Sequence, residues 1–262
     1  MKLKVHFRHF CAGLFAALLV LAAAGCRSQQ AVTEAPVEKV SVPDLISQAD
    51  KLYAQREDLA RLREGLGILR RARTAEPGNY DVLWRMAQYD YYLGAHTKEK
   101  DERNRAFDEG IEAGKAAVQL QDGKPEGHFW LGANYGGVAQ ASVLGGLAAI
   151  DDIREQMNAV LRTDEGYQSG SAYMVLGQVE LEAGRMMGDP EMAVQYLEKG
   201  LKLGPNNALL RLRLAQAYAR VNRRDDARKQ LDAILKLTPD PNYLPEHKEA
   251  TDEARKMLDR GV

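Results

Sequence analysis

The feature that most constrains this chain is an internal repeat whose length suits a pair of helices. Residues that typically close helices recur at intervals of 45, 42, 41 and 34 positions, namely Pro77, Asp122, Asp164, Pro205 and Pro239. Four of them are preceded by a small residue five positions earlier, at Ala72, Ala117, Ala159 and Gly200, and Ile234 holds that place in the last copy. Apolar residues between them follow a helical period, and no run of residues has strand character. The sequence therefore predicts an all-α fold.

The last copy shows what kind of hairpin repeats. Its cues are Leu214-Ala215, Tyr218, Ala227, Leu231 and Pro239. In order and spacing they resemble a tetratricopeptide repeat, two antiparallel helices in about 34 residues. We therefore expect a helical-hairpin solenoid of about five degenerate tetratricopeptide-like pairs over residues 43–241. The longer copies should contain longer helices or longer internal loops, and Gly177 and Ala215 should lie where two helices cross closely.

Residues 242–262 follow the last repeat and are rich in charge. Solenoids need a polar-faced element on their terminal repeats to stay soluble. We interpret this segment as a C-terminal capping helix.

The amino terminus has the pattern of an export signal. Basic residues precede an uncharged apolar run from Phe10 to Ala24, and small residues lead directly to Cys26. We predict a lipoprotein signal peptide over residues 1–25 and lipidation of Cys26, with palmitate among the expected acyl groups. Ordinary secretion with a free Cys26 thiol is the alternative. Residues 26–42 lack helical periodicity and predict a flexible tether.

These features predict a location in the cell envelope, facing the periplasm. Arg27 follows the lipidated cysteine where an aspartate would favour the inner membrane, so the outer membrane is favoured. The other cysteine, Cys11, lies in the signal, so no disulfide is expected in the mature chain. A formal net charge of −1 shows no basic excess for nucleic acid.

Residues 129–150 contain no charged side chain and are rich in glycine. Their length would allow a membrane span, but the glycines and the overlap with the third repeat favour a buried helix. Gly136-Gly137 and Gly145-Gly146 predict turns or a kink, and Asp151-Asp152 suit the start of the next helix. Whether this segment lines a cavity or only fills the core stays open.

The sequence contains no recognisable catalytic constellation, so we expect no enzyme, no catalytic residues, no cofactor and no metal site. His128 lies beside two aromatic residues and is expected to be a packed helix residue. The first helix of each pair should line a concave surface. The residues expected to face it, as a site for a ligand or partner, are Tyr53, Trp84, Gln88, Tyr91, Phe129, Gln178 and Gln216. The alternative is that its aromatic members fill the core between repeats.

Three segments together are similar to the T-component family of tripartite ATP-independent periplasmic (TRAP) transporters. They are Trp84-Arg85-Met86-Ala87, the run from His128 to Gly132 that leads into the uncharged segment, and the Tyr218 unit with Asp225-Asp226-Ala227. The resemblance implies a periplasmic lipoprotein that partners a solute-binding protein, forms a trimer and has a cavity for a small ligand. The alternative function is a membrane-tethered scaffold for envelope protein assembly without a small-molecule ligand.

Overall fold

The computed structural model describes residues 41–141, 143–183 and 188–262, with the side chains of 143–147 excepted. The predicted signal peptide, Cys26 and nearly all of the predicted tether lie outside these residues. The described part contains eleven α-helices, one short 3-10 helix and no strand. The predicted all-α fold is therefore confirmed.

The helices form five hairpins and a final helix. In chain order they are α1 (Val42–Tyr53), α2 (Leu59–Ala75), α3 (Tyr80–His96), α4 (Lys100–Leu120), α5 (Pro125–Ala141), α6 (Val143–Thr163), α7 (Ser171–Glu182), α8 (Pro190–Leu203), α9 (Ala208–Arg220), α10 (Arg224–Ile234) and α11 (Leu244–Asp259). The 3-10 helix, Pro241–Tyr243, directly precedes α11.

Each second helix packs against its own first helix and against the first helix of the next hairpin. First helices also contact one another, as α1 does with α3, α3 with α5, and α7 with α9. The first helices therefore form one layer and the second helices another, which is the arrangement of a helical-hairpin solenoid. We call the surface of the first-helix layer that faces away from the second helices the inner face.

The helix boundaries follow from local chemistry. The side chains of Asp58, Asn79, Asp189 and Asn207 accept hydrogen bonds from backbone amides in the first turns of α2, α3, α8 and α9. At the other end, the five predicted closing residues all follow the last residue of a second helix. The small residues five positions before them lie in the helix contacts; Ala72 and Ala117, for example, are fully buried. The extra length of the middle copies goes into α4 and α6, which have 21 residues each.

The uncharged segment differs from its prediction at both glycine pairs. The predicted turn at Gly136-Gly137 is wrong, because both residues lie inside the uninterrupted helix α5. Likewise α6 begins at Val143, before Gly145-Gly146, and not at Asp151. Gly137 is small for packing reasons: a Cβ atom there would lie 2.2 Å from the ring of Phe107 on α4. No helix in the described residues is both long enough and apolar enough for a bilayer.

Glycines and alanines allow close crossings throughout the stack. Gly177 faces Leu197, whose Cγ would lie 2.6 Å from an added Cβ, and Ala215 is fully buried. Both residues thus lie at helix crossings, as predicted. Gly170 has a φ of +76° and stands against the backbone of Gly200, so this loop position favours glycine for both conformation and space.

Candidate protein-binding site on the inner face

The two predicted tyrosines of the inner face lie in an aromatic cluster. Tyr53 packs against Tyr89 and Tyr92, with ring centroids 5.0 and 6.1 Å apart. Tyr91 contacts Trp130 at 5.8 Å and Phe107 at 6.5 Å. Both tyrosines are only partly buried, so each combines a packing role with some remaining accessible surface.

Trp84, Gln88 and Phe129 differ from one another in burial and in contacts. Trp84 is partly buried, its Nε1 donates to Asp81 at 3.1 Å, and Arg85 covers its ring at 4.1 Å. Gln88 is partly buried one turn further along α3. Phe129 is only 5% exposed and packs edge-on against Trp130 and Tyr167. Its ring fills the core, and it offers little area to a partner.

Gln178 and Gln216 are brought together, although 38 positions separate them in the sequence. They line one pocket of about 270 Å³ between α7 and α9, together with Leu181, Glu182, Arg213 and Arg220. A pocket of this size fits one or two side chains of a partner more readily than a drug-sized molecule.

The described lining of this pocket has more positive than negative side chains. Glu182 is the one carboxylate among the described residues that line it, and it accepts hydrogen bonds from Gln178 at 2.8 Å and Gln140 at 3.5 Å. Arg213 donates to Gln216 at 3.1 Å. A guanidinium carries five N–H donors, and most of those of Arg213 have no acceptor among the described residues. Arg220, an exposed residue, forms no ion pair with the described part of the chain. The pocket is therefore a place where an added carboxylate would be attracted.

Neither arginine was among the residues predicted from the sequence to line the site. The signal was present, since Arg213 lies three residues before the predicted Gln216 and Arg220 lies four after it, on one helix face. The helical spacing alone could have included them, but the prediction concentrated on aromatic and amide side chains.

A second missed feature joins the two ends of the solenoid. Arg56, between α1 and α2, is 3% exposed and binds Glu246 of α11 through both carboxylate oxygens, at 3.1 and 2.6 Å. Its Nη2 also donates to the backbone oxygen of Asn242 at 2.8 Å. The guanidinium lies over the rings of Tyr53 and Tyr92, at 4.8 and 5.6 Å. Residues 190 positions apart are thus in direct contact.

Several polar groups are buried away from this face. His128 is almost fully buried, with its ring nitrogens 2.7 Å from Oε1 of Gln156 and 2.8 Å from the backbone oxygen of Asp122. That confirms its predicted packed role. Asp90 is 0% exposed and neither carboxylate oxygen has a hydrogen-bond partner. Burial raises the pKa of Asp90 well above its usual range.

A second pocket lies on the opposite side, where the second helices α2 and α4 flank α3. It measures about 590 Å³, and its lining includes Arg70, Arg73, Met86, Glu109 and Glu112. Arg70 and Glu109 already pair with each other at 2.6 Å. In the residues the structure describes, no group of three or more histidine, cysteine, aspartate or glutamate side chains has the arrangement of a metal site.

Comparison with protein families divides the chain into two parts. Residues 185–244 match a tetratricopeptide repeat family, and residues 45–160 match the family described as regulator of microtubule dynamics protein 1-3. A comparison of the sequence with curated proteins found no significant match. The predicted T-component family of TRAP transporters is not supported by these findings, which support the broader tetratricopeptide class.

Solved structures agree on the fold. A thermophilic tetratricopeptide protein, TTC0263 from Thermus thermophilus, has a TM-score of 0.64 and 19% identity, over 82% of this chain and 98% of that one. PilF from Pseudomonas aeruginosa has a TM-score of 0.54 and 15% identity, over 84% of this chain and 92% of that one. A MamA fragment from Desulfovibrio magneticus RS-1 has a TM-score of 0.51 and 14% identity, over 75% and 97%. Together with the repeat match, these likenesses identify the chain as a helical solenoid of tetratricopeptide repeats, a fold suited to protein–protein interaction.

Proposed function

We propose that this protein is an adaptor that binds a partner protein on its inner face, with the pocket between α7 and α9 holding an acidic segment of that partner. The observation that carries the proposal is the pocket's charge: two guanidinium groups surround one carboxylate whose oxygens already accept glutamine hydrogen bonds. Arginine binds carboxylates through paired hydrogen bonds, which gives both attraction and orientation.

The neighbouring side chains suit an extended segment of chain. Gln178 and Gln216 carry amides that can hydrogen-bond a peptide backbone, and Leu181 supplies an apolar contact. Tyr91 lies close enough to Arg213 for the guanidinium to act on its hydroxyl electrostatically. The site therefore continues from the pocket toward the aromatic cluster of the first hairpins.

Peptide binding tests this proposal directly. The probe is a fluorescein-labelled nonapeptide of alternating glutamate and leucine, measured by anisotropy at low and high salt. Replacing both arginines (Arg213→Gln with Arg220→Gln) should weaken binding about tenfold, or about 1.4 kcal/mol, and high salt should weaken wild-type binding. The matched control is Arg224→Gln, since Arg224 is an exposed arginine on the second helix α10. Equal affinity of the double variant and this control would refute the proposed site.

We also propose that the adaptor is held in the cell envelope by lipid on Cys26, facing the periplasm and favouring the outer membrane. The basic, apolar and small-residue pattern before Cys26 supports this. Metabolic labelling with a fatty-acid analogue should mark the wild-type protein and leave Cys26→Ser unlabelled. Label on the serine variant would contradict the assignment.

The most specific part of the proposal is the identity of the partner. The sequence resemblance to the TRAP T-component family favours a periplasmic solute-binding protein, with trimer formation and a small ligand as further expectations. A scaffold for envelope protein assembly is the alternative. Pull-down from solubilised envelopes with the wild type and with the Arg213→Gln, Arg220→Gln variant separates them: a solute-binding protein captured only by the wild type supports the first, and other envelope proteins support the second.

A further inference from the structure

The C-terminal segment does more than cover the last hairpin. Helix α11 packs against α9 and α10, as a terminal helix should. Its first turn and the preceding 3-10 helix also reach the first hairpin, where Arg56 binds Glu246 and the backbone oxygen of Asn242. Residues 241–249, which we call the strap, therefore span the distance between the last and the first hairpins.

The strap lies beside the aromatic part of the inner face. Burial raises the pKa of Tyr92 to about 12, and the nearby carboxylates of Glu246 and Glu249 add to that increase. Burial also raises the pKa of Tyr91; Arg213 opposes the increase, while Glu249, Glu182 and Glu246 add to it. The Tyr91 hydroxyl is therefore within electrostatic reach of side chains from α7, α9 and the strap.

The strap carries negative charge, which is the charge that the proposed site attracts. Glu246 binds Arg56, whose guanidinium lies over the Tyr53 ring at 4.8 Å, and Glu249 follows three residues later on the same helix. Both carboxylates, and Arg213, also act electrostatically on Tyr91. An acidic partner segment that extended from the pocket toward Tyr53 and Tyr91 would meet two carboxylates of the same sign. The strap therefore covers the surface that such a segment would contact.

We propose that the strap, residues 241–249, is an intramolecular competitor that closes the solenoid through the Arg56–Glu246 pair and must be released before an acidic partner can reach Tyr53 and Tyr91. This rests on the proposed function for its partner, and on the Arg56 contacts for the closure. We call the Arg56–Glu246 pair the latch. The Arg56 guanidinium donates two hydrogen bonds to the Glu246 carboxylate, one to the backbone oxygen of Asn242 and one to the backbone oxygen of Tyr53. A bidentate, largely desolvated pair of this kind holds geometry more firmly than an exposed ion pair.

Closure is tested first, without any partner. The full chain has only two cysteines, so Cys11→Ser with Cys26→Ser leaves no thiol. Spin labels are then attached through Glu57→Cys and Lys248→Cys, both exposed positions on the two sides of the latch. We expect one short, narrow distance distribution by double electron–electron resonance. Adding Glu246→Gln should broaden it and shift it to longer distances. An unchanged distribution would overturn the closure.

Competition is tested next with the acidic nonapeptide. Glu246→Gln combined with Glu249→Gln should bind it about fivefold to tenfold more tightly than the wild type. Glu253→Gln is the matched control, because Glu253 lies further along α11 and pairs with Lys256 at 3.1 Å. Open distances without tighter peptide binding would overturn the competition.

The two experiments can fail independently, and one further variant tests the specificity of the Arg56–Glu246 pair. If neither the wild type nor the released variant binds the peptide, the proposed function fails while the distance measurement still reports on the latch. Replacing Arg56 could unfold the first hairpin, so the exchange Arg56→Glu with Glu246→Arg is added to the series. Recovery of the short distance in the exchanged pair supports a specific latch, and a distance as long as that of Glu246→Gln counts against it.

Discussion

The first three hairpins and the last two form the same solenoid with different interiors. In helices α1–α6 the buried side chains are aromatic and polar as well as aliphatic, and include Tyr89, Phe107, Trp130, Asp90 and Asn134. In α7–α11 the side chains exposed by 1% or less are leucine, isoleucine and alanine, and the buried aromatic and polar residues described there are fewer, namely Ser171, Tyr173, Glu180 and Tyr218. The two parts also match different families, at residues 45–160 and 185–244.

The difference shows how one hairpin stack can be filled in two ways. In the last hairpins, leucines of similar size interlock with small residues, as Leu197 does with Gly177. In the early hairpins, single large rings span several helices: Phe107 of α4 fits against both Gly94 of α3 and Gly137 of α5. When one ring contacts three helices, the effect of a substitution at one of its small neighbours depends on the ring. Effects on stability should therefore be less additive in this region.

The largest effect should come from breaking this three-helix contact. Phe107→Ala is expected to lower the free energy of unfolding by about 3–5 kcal/mol, because it leaves a cavity under two glycines. Gly137→Ala should cost about 1–3 kcal/mol in the wild type, since its methyl group would overlap the ring. In the Phe107→Ala background the same methyl group enters empty space, so Gly137→Ala should become neutral or stabilising.

Urea unfolding of the four proteins of this cycle gives the coupling. Gly136→Ala is the control, because no atom of the described residues lies within 4 Å of a Cβ at that position. Its gain in helix propensity, up to about 1 kcal/mol, should be the same with and without the Phe107 ring. Additive effects of Phe107→Ala and Gly137→Ala would show that the ring and the glycine are not in contact.

The aliphatic region provides the second test. Gly177→Leu and Ala215→Leu should each cost about 1–3 kcal/mol, because each adds a branched side chain at a closed helix crossing. Gly177 meets Leu197 of α8, whereas Ala215 lies on α9 in the next hairpin, so we expect their effects to add within about 0.5 kcal/mol. Strong coupling between them in urea unfolding would remove the contrast between the two regions.

The contrast also explains what the sequence could and could not predict. The last repeat was easy to recognise because leucine, alanine and proline stand at the usual spacings, and the closing residues of the earlier copies followed from it. The interpretation failed at Gly136-Gly137 because a glycine needed for a ring from another helix looks the same as a glycine needed for a turn. Of the predicted site residues, Gln178 and Gln216 share a pocket and Phe129 lies in the core. The Arg56–Glu246 contact joins residues too far apart for any local pattern to indicate it.

The buried polar groups of the first region give a third, pH-dependent test. Asp90 lies among Glu109, Arg70 and Arg73, and its folded pKa is raised, chiefly by burial. The folded state therefore holds its proton more tightly, and stability is lost as pH rises from the unfolded pKa through the folded one. Asp90→Asn should be more stable than the wild type at pH 7, by about 1–3 kcal/mol. The difference should disappear near pH 3.5 in thermal or urea unfolding, and a destabilised Asp90→Asn protein at pH 7 would show that the carboxylate has a partner.

The smallest effect concerns an exposed contact between second helices of the same region. Arg63 of α2 donates to both oxygens of Glu102 of α4, at 2.7 and 2.8 Å, and Thr97 also donates to Glu102. The hydrogen bonds from Arg63, followed by the one from Thr97, lower the pKa of Glu102 to about 2. Because this pKa is lowered, the stabilisation is present above about pH 4.5 and is lost as pH falls toward 2.

Solvent screens this pair, since the Arg63 side chain is 46% exposed. Glu102→Gln should therefore cost only about 0.2–1 kcal/mol at pH 7, with the loss declining below pH 4.5 and in high salt. Glu64→Gln is the control, because Glu64 pairs with Arg61 within one helix and both side chains are at least half exposed. The bidentate contact between α2 and α4 should cost more than this local pair. An equal loss for both variants would mean that Arg63 and Glu102 contribute no more than a helix-surface ion pair, and that the early hairpins depend on their aromatic interior alone.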